Sequence, residues 1–361
     1  MRNNSNYLAH IKGLRGTSLY FAINRKLGNL YKDYEKECNT ERKAEICIEL
    51  LNSIQDTIVW KLRIRVRAFE EDVRLFFAQF GQRRTIDHSD KRCKDYYSVA
   101  VIVKNEARYL REFILFYQAT GADRIYLYDN DSTDDIIKVL TPFLEAGFVV
   151  YRHWPGRSVQ TAAYRDAIRR AKKRTKWLAL IDIDEFLFSP KGSMPSQLSA
   201  YEEHPGVGVN WVIFGPNGHD RRPDGLVMEN YTSTINDYDA DYNCHIKSIV
   251  QPGKVFTINN THYANYKNGG FAVSETGERI DNASAHLYAQ GRAFTSHNHR
   301  DIFRINHYIT KSLEDLEAKC LRGYADGAPA STKEIQLRPF QKSISEDYTI
   351  KPYINIVRAN Y

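Results

Sequence analysis

Two textures divide the chain near residue 96. Downstream of it, short apolar runs alternate with segments whose apolar positions recur every three or four residues, the mark of buried strands between amphipathic helices. The pattern predicts strands over Tyr97–Val103, Arg124–Tyr128, Phe148–Arg152 and Trp177–Ile183. It predicts helices over Ala107–Ala119, Asp134–Ala146 and Val159–Arg174, with Ser132 or Thr133 capping the second. Such alternation builds βαβ units, so the expected class is α/β: a mostly parallel, Rossmann-like sheet flanked by helices, with ligands at the carboxyl ends of its strands.

Upstream, residues 41–82 read as helical, with Ile46, Leu50, Ile54 and Ile58 and then Leu62, Val66, Phe69, Val73 and Phe76 at helical spacing and Gly81 as a stop. The run Lys61–Arg67 alternates charge and apolarity, which also fits a strand. Beyond residue 190 the pattern loosens into turns at Ser189–Gly192 and Phe214–Gly218, a helix over 308–323 and an irregular last segment. The expected division is therefore a basic, mainly helical extension over 1–95, a main domain over 96–323 and a C-terminal extension over 324–361.

Composition adds limits. The net charge of +7 lies mostly in residues 1–95, where 19 Lys/Arg face 13 Asp/Glu. A solvated helix packed on the main domain is the simpler reading, and peripheral contact with an anionic membrane the alternative. Tyrosines are dispersed and the excess charge is modest, so a nucleic-acid partner is not expected. Five widely spaced cysteines without a Cys-x-x-Cys pair suggest reduced thiols. No apolar run reaches the roughly 20 residues of a membrane span, and no signal-peptide core opens the chain, so a cytoplasmic location, free or peripheral at the inner membrane face, is expected. The N-terminal helices could pair with a second chain as readily as pack on their own domain, which leaves the oligomeric state open.

Candidate chemistry begins at the fourth strand, where Asp182 and Asp184 interrupt an apolar run in which an unpaired charge would be costly. Two residues apart on an extended chain, they project to one face and can converge on a hard divalent ion carrying phosphate oxygens. Asn105 and Glu106 follow the first strand, and Asp129 and Asp131 the second. Such groups can bind a base edge and ribose hydroxyls, or cap the following helices. No glycine-rich phosphate loop is present, which argues against kinase-like and dehydrogenase readings.

The successive blocks Ser98–Ala107, Tyr109–Phe113, Tyr128–Ser132, Ile181–Phe186, Trp211–His219 and His307–Ser312 resemble those of glycosyltransferase family 92 and its bacterial family-2-like relatives, over roughly residues 97–323. The resemblance implies a GT-A fold, a nucleotide-diphosphate sugar donor of the UDP-sugar type, a divalent cation, most often manganese or else magnesium, and inversion at the anomeric carbon. It implies that Asn105 and Glu106 approach the uracil, that Asp129 and Asp131 sit near the nucleoside, and that Asp182 and Asp184 hold the ribose and the metal-diphosphate. The acceptor would be a hydroxyl of a glycan or lipid-linked molecule, in bacterial surface polysaccharide synthesis.

Such a reaction needs a base for the acceptor hydroxyl. Glu229 is favoured for its place before a short helix and its distance from Asp184, with His219, Asp237, Asp239 and Asp241 behind it. Of the histidines able to complete the metal site, His262 ranks first and His307 second, ahead of His297 and His299. Alternatively, His307 and Lys311 organise the diphosphate or acceptor. Sugar-phosphate nucleotidyltransfer is the competing enzyme reading, disfavoured because Ser98–Arg108 lacks its glycine-rich basic loop.

Overall fold

The computed structural model describes residues 93–237, 241–258, 260–280, 294–322, 332–341 and 344–361. The helical reading of 41–82 and nearly all of the basic 1–95 segment lie outside the described residues.

The alternation is present in the chain order β1 (Asp95–Val103), α1 (Ala107–Ala119), β2 (Arg124–Asp129), α2 (Ile136–Glu145), β3 (Val149–His153), α3 (Gln160–Ala171) and β4 (Thr175–Leu180). After it come β5 (Glu185–Phe188), β6 (Gly206–Ile213), α4 (Val227–Asn230), β7 (Ser233–Ile235), β8 (Ile246–Val250), β9 (Val255–Ile258), β10 (Ala264–Tyr266), β11 (Ala272–Val273), β12 (Arg279–Ile280) and β13 (Arg304–His307). The described chain closes with α5 (Leu313–Arg322), β14 (Ile344–Glu346) and α6 (Lys351–Asn360), besides a few short helical turns.

The main sheet runs β12-β11-β6-β8-β4-β1-β2-β3. Its β3-β2-β1-β4 half is parallel, and β8 is antiparallel to both neighbours, β4 and β6. Both faces of β1 are buried: Tyr97, Val99 and Val101 face the cluster that includes α1 and α2, whereas Ala100 and Ile102 face that of α3. Burial on two faces is why these strands read as continuous apolar runs. The architecture is the mixed α/β class expected.

Three local expectations need correction. The run from Trp177 is not one strand to Ile183: its pairing with β1 ends at Leu180, and after a turn the chain resumes as β5, which pairs with β13. The helix expected from 308 starts at Leu313, because Lys311 has a left-handed backbone (φ 49°) and Ser312 Oγ accepts from the Asp315 N–H. The last segment is not irregular: β14 pairs with β7, and the Tyr353 hydroxyl of α6 donates to the Ser189 carbonyl.

Among the described residues Cys93, Cys244 and Cys320 form no disulfide with one another. Among the described residues no helix is long and apolar enough to cross a membrane.

Candidate active site

The carboxyl ends of β1 and β2 are stitched together by short polar side chains. Asn105 turns the chain after β1 with φ 54°, a conformation asparagine tolerates better than most residues. Its Oδ1 accepts from the Thr133 N–H at 2.7 Å and its own N–H donates to Ser132 Oγ at 3.0 Å. Asp134 accepts from the Ala107 N–H at the start of α1. Ser132 therefore ties two strand ends together instead of capping α2.

Asp129 accepts from the Ser132 N–H (3.0 Å) and the Tyr151 hydroxyl (2.8 Å), and exposed Asp131 meets His153 Nε2 (3.0 Å) and the Gly156 N–H (3.3 Å). Neither lines the cavity described below. In this structure both carboxylates make turn-stabilising bonds.

The β4–β5 turn is different in kind. In the antiparallel β4–β8 pairing Ala179 stands opposite Ile249, so Lys247, two residues along β8, falls beside the turn. Its buried ammonium lies 2.7 Å from Asp182 Oδ2 and 3.6 Å from Glu185 Oε2. Asp182 Oδ1 also accepts from the Tyr164 hydroxyl (2.8 Å) and Gln160 Nε2, both on α3. Burial works to raise the Asp182 pKa, but the Lys247 charge pulls it below the ordinary value. Glu185, wholly buried, moves up because desolvation outweighs Lys247.

Strand pairing brings the next partners. The β5–β13 register sets His307 opposite Glu185, and the Tyr308 N–H donates to the Asp184 carbonyl. His307 Nε2 then lies 3.6 Å from Asp184 Oδ1, while Lys319 Nζ of α5 lies 2.7 Å from Asp184 Oδ2. Asp184 is buried, which alone would raise its pKa; Lys319 first and His307 second hold it well below the usual carboxylate range. Burial lowers the pKa of His307 against the pull of Asp184, and its buried Nδ1 has no hydrogen-bond partner among the described residues.

Asp182, Asp184, His262 and His307 do not assemble as the expected metal centre. Only Asp184 and His307 form a close carboxylate–imidazole pair; Asp182 is held by Lys247, Tyr164 and Gln160. His262 Nδ1 lies 3.0 Å from the Ile246 carbonyl with its ring edge-on to Trp211, and burial pushes its pKa down to about 3. An ammonium stands on each aspartate, and among the described residues no three His, Cys, Asp or Glu side chains converge as a metal-binding group.

Glu229 is also placed elsewhere. Its carboxylate forms a two-point pair with Arg358 of α6 and accepts from the Leu226 N–H. The Arg358 bond lowers its pKa, the opposite of what suits a base near neutrality. His219 faces Tyr231 and the Asn230 carbonyl (3.2 Å). Neither lines the cavity.

That cavity, about 510 Å³, opens over the ends of β1 and β2 and the β4–β5 turn. Asn105, Glu106, Asp184 and Lys311, all singled out in the sequence, line it. Sequence reasoning missed the other wall: Arg222, Lys319 and Arg322. The last two sit three residues apart on α5, a spacing that signals a shared face once the helix is placed. Glu106 is buried against Arg322 Nη1 (2.7 Å) and Lys311 Nζ (3.8 Å), and the Lys311 ammonium lies 4.5 Å from the centre of the Tyr109 ring.

Known proteins resemble this chain over part of its length. Three plant proteins named as glycosyltransferase family 92 members are similar to it: from rice (Oryza sativa subsp. japonica), 33% identical over 178 residues; from Ricinus communis, 28% over 179; and from Arabidopsis thaliana, 29% over 186. Each match spans 47% of this chain but only 30–32% of the plant protein. Among solved structures, S. aureus TarS 1-349 in complex with UDP is 15% identical with a TM-score of 0.31, covering 44% of this chain and 47% of that one. A mycobacterial protein is 14% identical with a TM-score of 0.31, covering 64% and 74%. The profile of glycosyltransferase family 92 matches residues 96–319, the segment that carries the chain from β1 into α5 and every cavity-lining residue except Arg322. The chain belongs to glycosyltransferase family 92.

Proposed function

We propose that this chain transfers a sugar from a nucleoside-diphosphate donor, a UDP-sugar, to a hydroxyl of a glycan or lipid-linked acceptor, with inversion at the anomeric carbon. The observation that carries the reading is the charged cavity at the carboxyl ends of β1 and β2 in a family 92 domain. In a parallel α/β sheet this is where a nucleotide is expected. Asn105 and Thr133 offer neutral polar groups on one wall, and Lys311, Lys319 and Arg322 offer cations on another. A nucleoside diphosphate has the same two-part character.

The reaction is a single displacement. The acceptor oxygen bonds to the anomeric carbon as the bond from that carbon to the diphosphate oxygen breaks, and the hydroxyl proton leaves to a base. Negative charge grows on the departing phosphate, so fixed positive groups aimed at it lower the barrier. The ion pairs of Asp184 and Glu106 hold such groups in place before the donor arrives. Because the residues expected to bind a metal do not converge, no step here is routed through one.

Calorimetric titration of UDP and a small panel of nucleotides, with and without manganese, tests the proposal. UDP binding by the wild type, lost in Asp184→Ala, supports it and justifies screening UDP-sugars for transfer. A folded wild type that binds no nucleoside diphosphate under either condition overturns it.

A further inference from the structure

One face of α5 has a charge pattern that fold-building does not require. Asp315, Lys319 and Arg322 lie at i, i+4 and i+7 and all reach the cavity, with Lys311 just before the helix. Each cation is anchored by a carboxylate from a different part of the fold. Lys319 meets Asp184 of the β4–β5 turn at 2.7 Å, and Arg322 meets Glu106 at the start of α1 at 2.7 Å. Arg222 meets Asp315 at 2.7 Å, and Asp315 also accepts from the Tyr109 hydroxyl. Cations from two segments distant in sequence, Arg222 and the 311–322 stretch, are thus held at one space by carboxylates from three.

We infer that the α5 face of Lys319 and Arg322, together with Lys311, is the diphosphate clamp of the donor site, with Asp184 and Glu106 as the residues that position it. The inference rests on the glycosyltransferase reading and deepens it. The chemistry of the groups suits the task. A guanidinium presents a planar fork of donors that matches phosphate oxygens, and an ammonium adds a compact point charge. Arg322 directs Nη1 to the Lys104 carbonyl and to Glu106, and its Nη2 and Nε have no partner among the described residues. The Lys319 ammonium donates to the Ile309 carbonyl (3.0 Å) as well as to Asp184. That second anchor keeps it at the cavity wall when phosphate oxygens take over from the carboxylate. The left-handed backbone of Lys311 (φ 49°) turns its side chain back over Tyr109 toward Glu106, so the third cation is held by local geometry.

A clamp for phosphate differs from a merely structural set of ion pairs in what it discriminates. Calorimetry with UDP and with uridine, in chelator and in manganese, separates the two for the wild type, Lys319→Gln and Arg322→Gln. The less enclosed Arg322 variant is the safer for folding, which circular dichroism checks. A lost charge-assisted hydrogen bond weakens UDP binding by about tenfold to hundredfold in each variant. Uridine binding should stay within about twofold in the same variants, since that ligand offers no group for a phosphate contact to hold. Wild-type UDP affinity should also fall as salt is raised, less steeply in the variants. Unchanged UDP affinity in both folded variants, or equal losses for UDP and uridine, would overturn the clamp. A wild type that binds no nucleoside diphosphate would instead overturn the donor reading on which the clamp rests.

Discussion

Glu112 on α1 and Asp184 in the β4–β5 turn are buried to a similar degree, and their acidities are moved in opposite directions. Glu112 accepts from the Val227 and Met228 N–H groups at the start of α4, at 2.7 and 3.0 Å. With only neutral donors in contact, burial wins and its pKa rises to about 7. Asp184 touches Lys319 and His307, and their charges overcome the same burial. The first arrangement docks a helix. The second keeps two ionised groups poised beside a cavity, which building a fold does not call for. Asp129 and Asp131 belong with Glu112: their carboxylates are bonded to backbone N–H groups and neighbouring side chains that shape turns.

The contrast can be broken at its strongest point with Lys247→Met. That substitution leaves Asp182 and Glu185 facing each other without their buried cation, and should cost about 3–5 kcal/mol in urea denaturation. A loss below about 1 kcal/mol, within the range of an exposed pair, would show that the turn does not need the charge. Asp184→Ala should lower transfer by about a hundredfold to a thousandfold, as expected when a group that organises transition-state charge is removed. Its far-ultraviolet dichroism should be unchanged; full activity would place the chemistry elsewhere.

Glu112 sharpens the comparison through pH. The folded chain holds its proton up to about pH 7, whereas the unfolded chain releases it near 4.5. The unfolded state therefore binds fewer protons across that window, so stability falls as pH rises from about 4.5 to 7 and levels off above. The wild type should lose about 3 kcal/mol relative to Glu112→Gln over the window, at 1.36 kcal/mol per pKa unit. Parallel pH profiles would mean that Glu112 is ionised in the fold. The smallest effect belongs to Glu229→Gln: its partner Arg358 is largely exposed, so stability should drop by about 1 kcal/mol or less. Transfer should be retained, and its loss with KM unchanged would restore Glu229 as the base.

Periodicity carried the first half of the domain. Residues 107–119 were legible as α1 to the residue, because an amphipathic stripe between two apolar runs admits few other readings. The strand ends pointed to Asn105, Glu106 and Asp184 for the same reason. The break after Leu180 was hidden, since apolar residues continue across the turn and only the partner changes, from β1 to β13. Lys247 was not singled out in the sequence; its role depends on the antiparallel register of β8, a long-range property. The Arg358 partner of Glu229 could not be read from linear distance, because α6, which holds it, closes onto α4 from the far end of the chain. The family resemblance placed the domain, but Lys319 and Arg322 needed the helix in three dimensions.

The Lys319–Asp184 pair joins positions 135 residues apart, and the β5–β13 ladder that aligns His307 spans nearly as far. Contacts so distant in sequence close late, after the local βαβ units have formed. A chain still being synthesised can therefore complete its β1–β4 half while Asp184 waits without its cation. The cavity gains its α5 wall only when α5 has left the ribosome, so the nascent chain can hold its first sheet layer well before the cavity is enclosed.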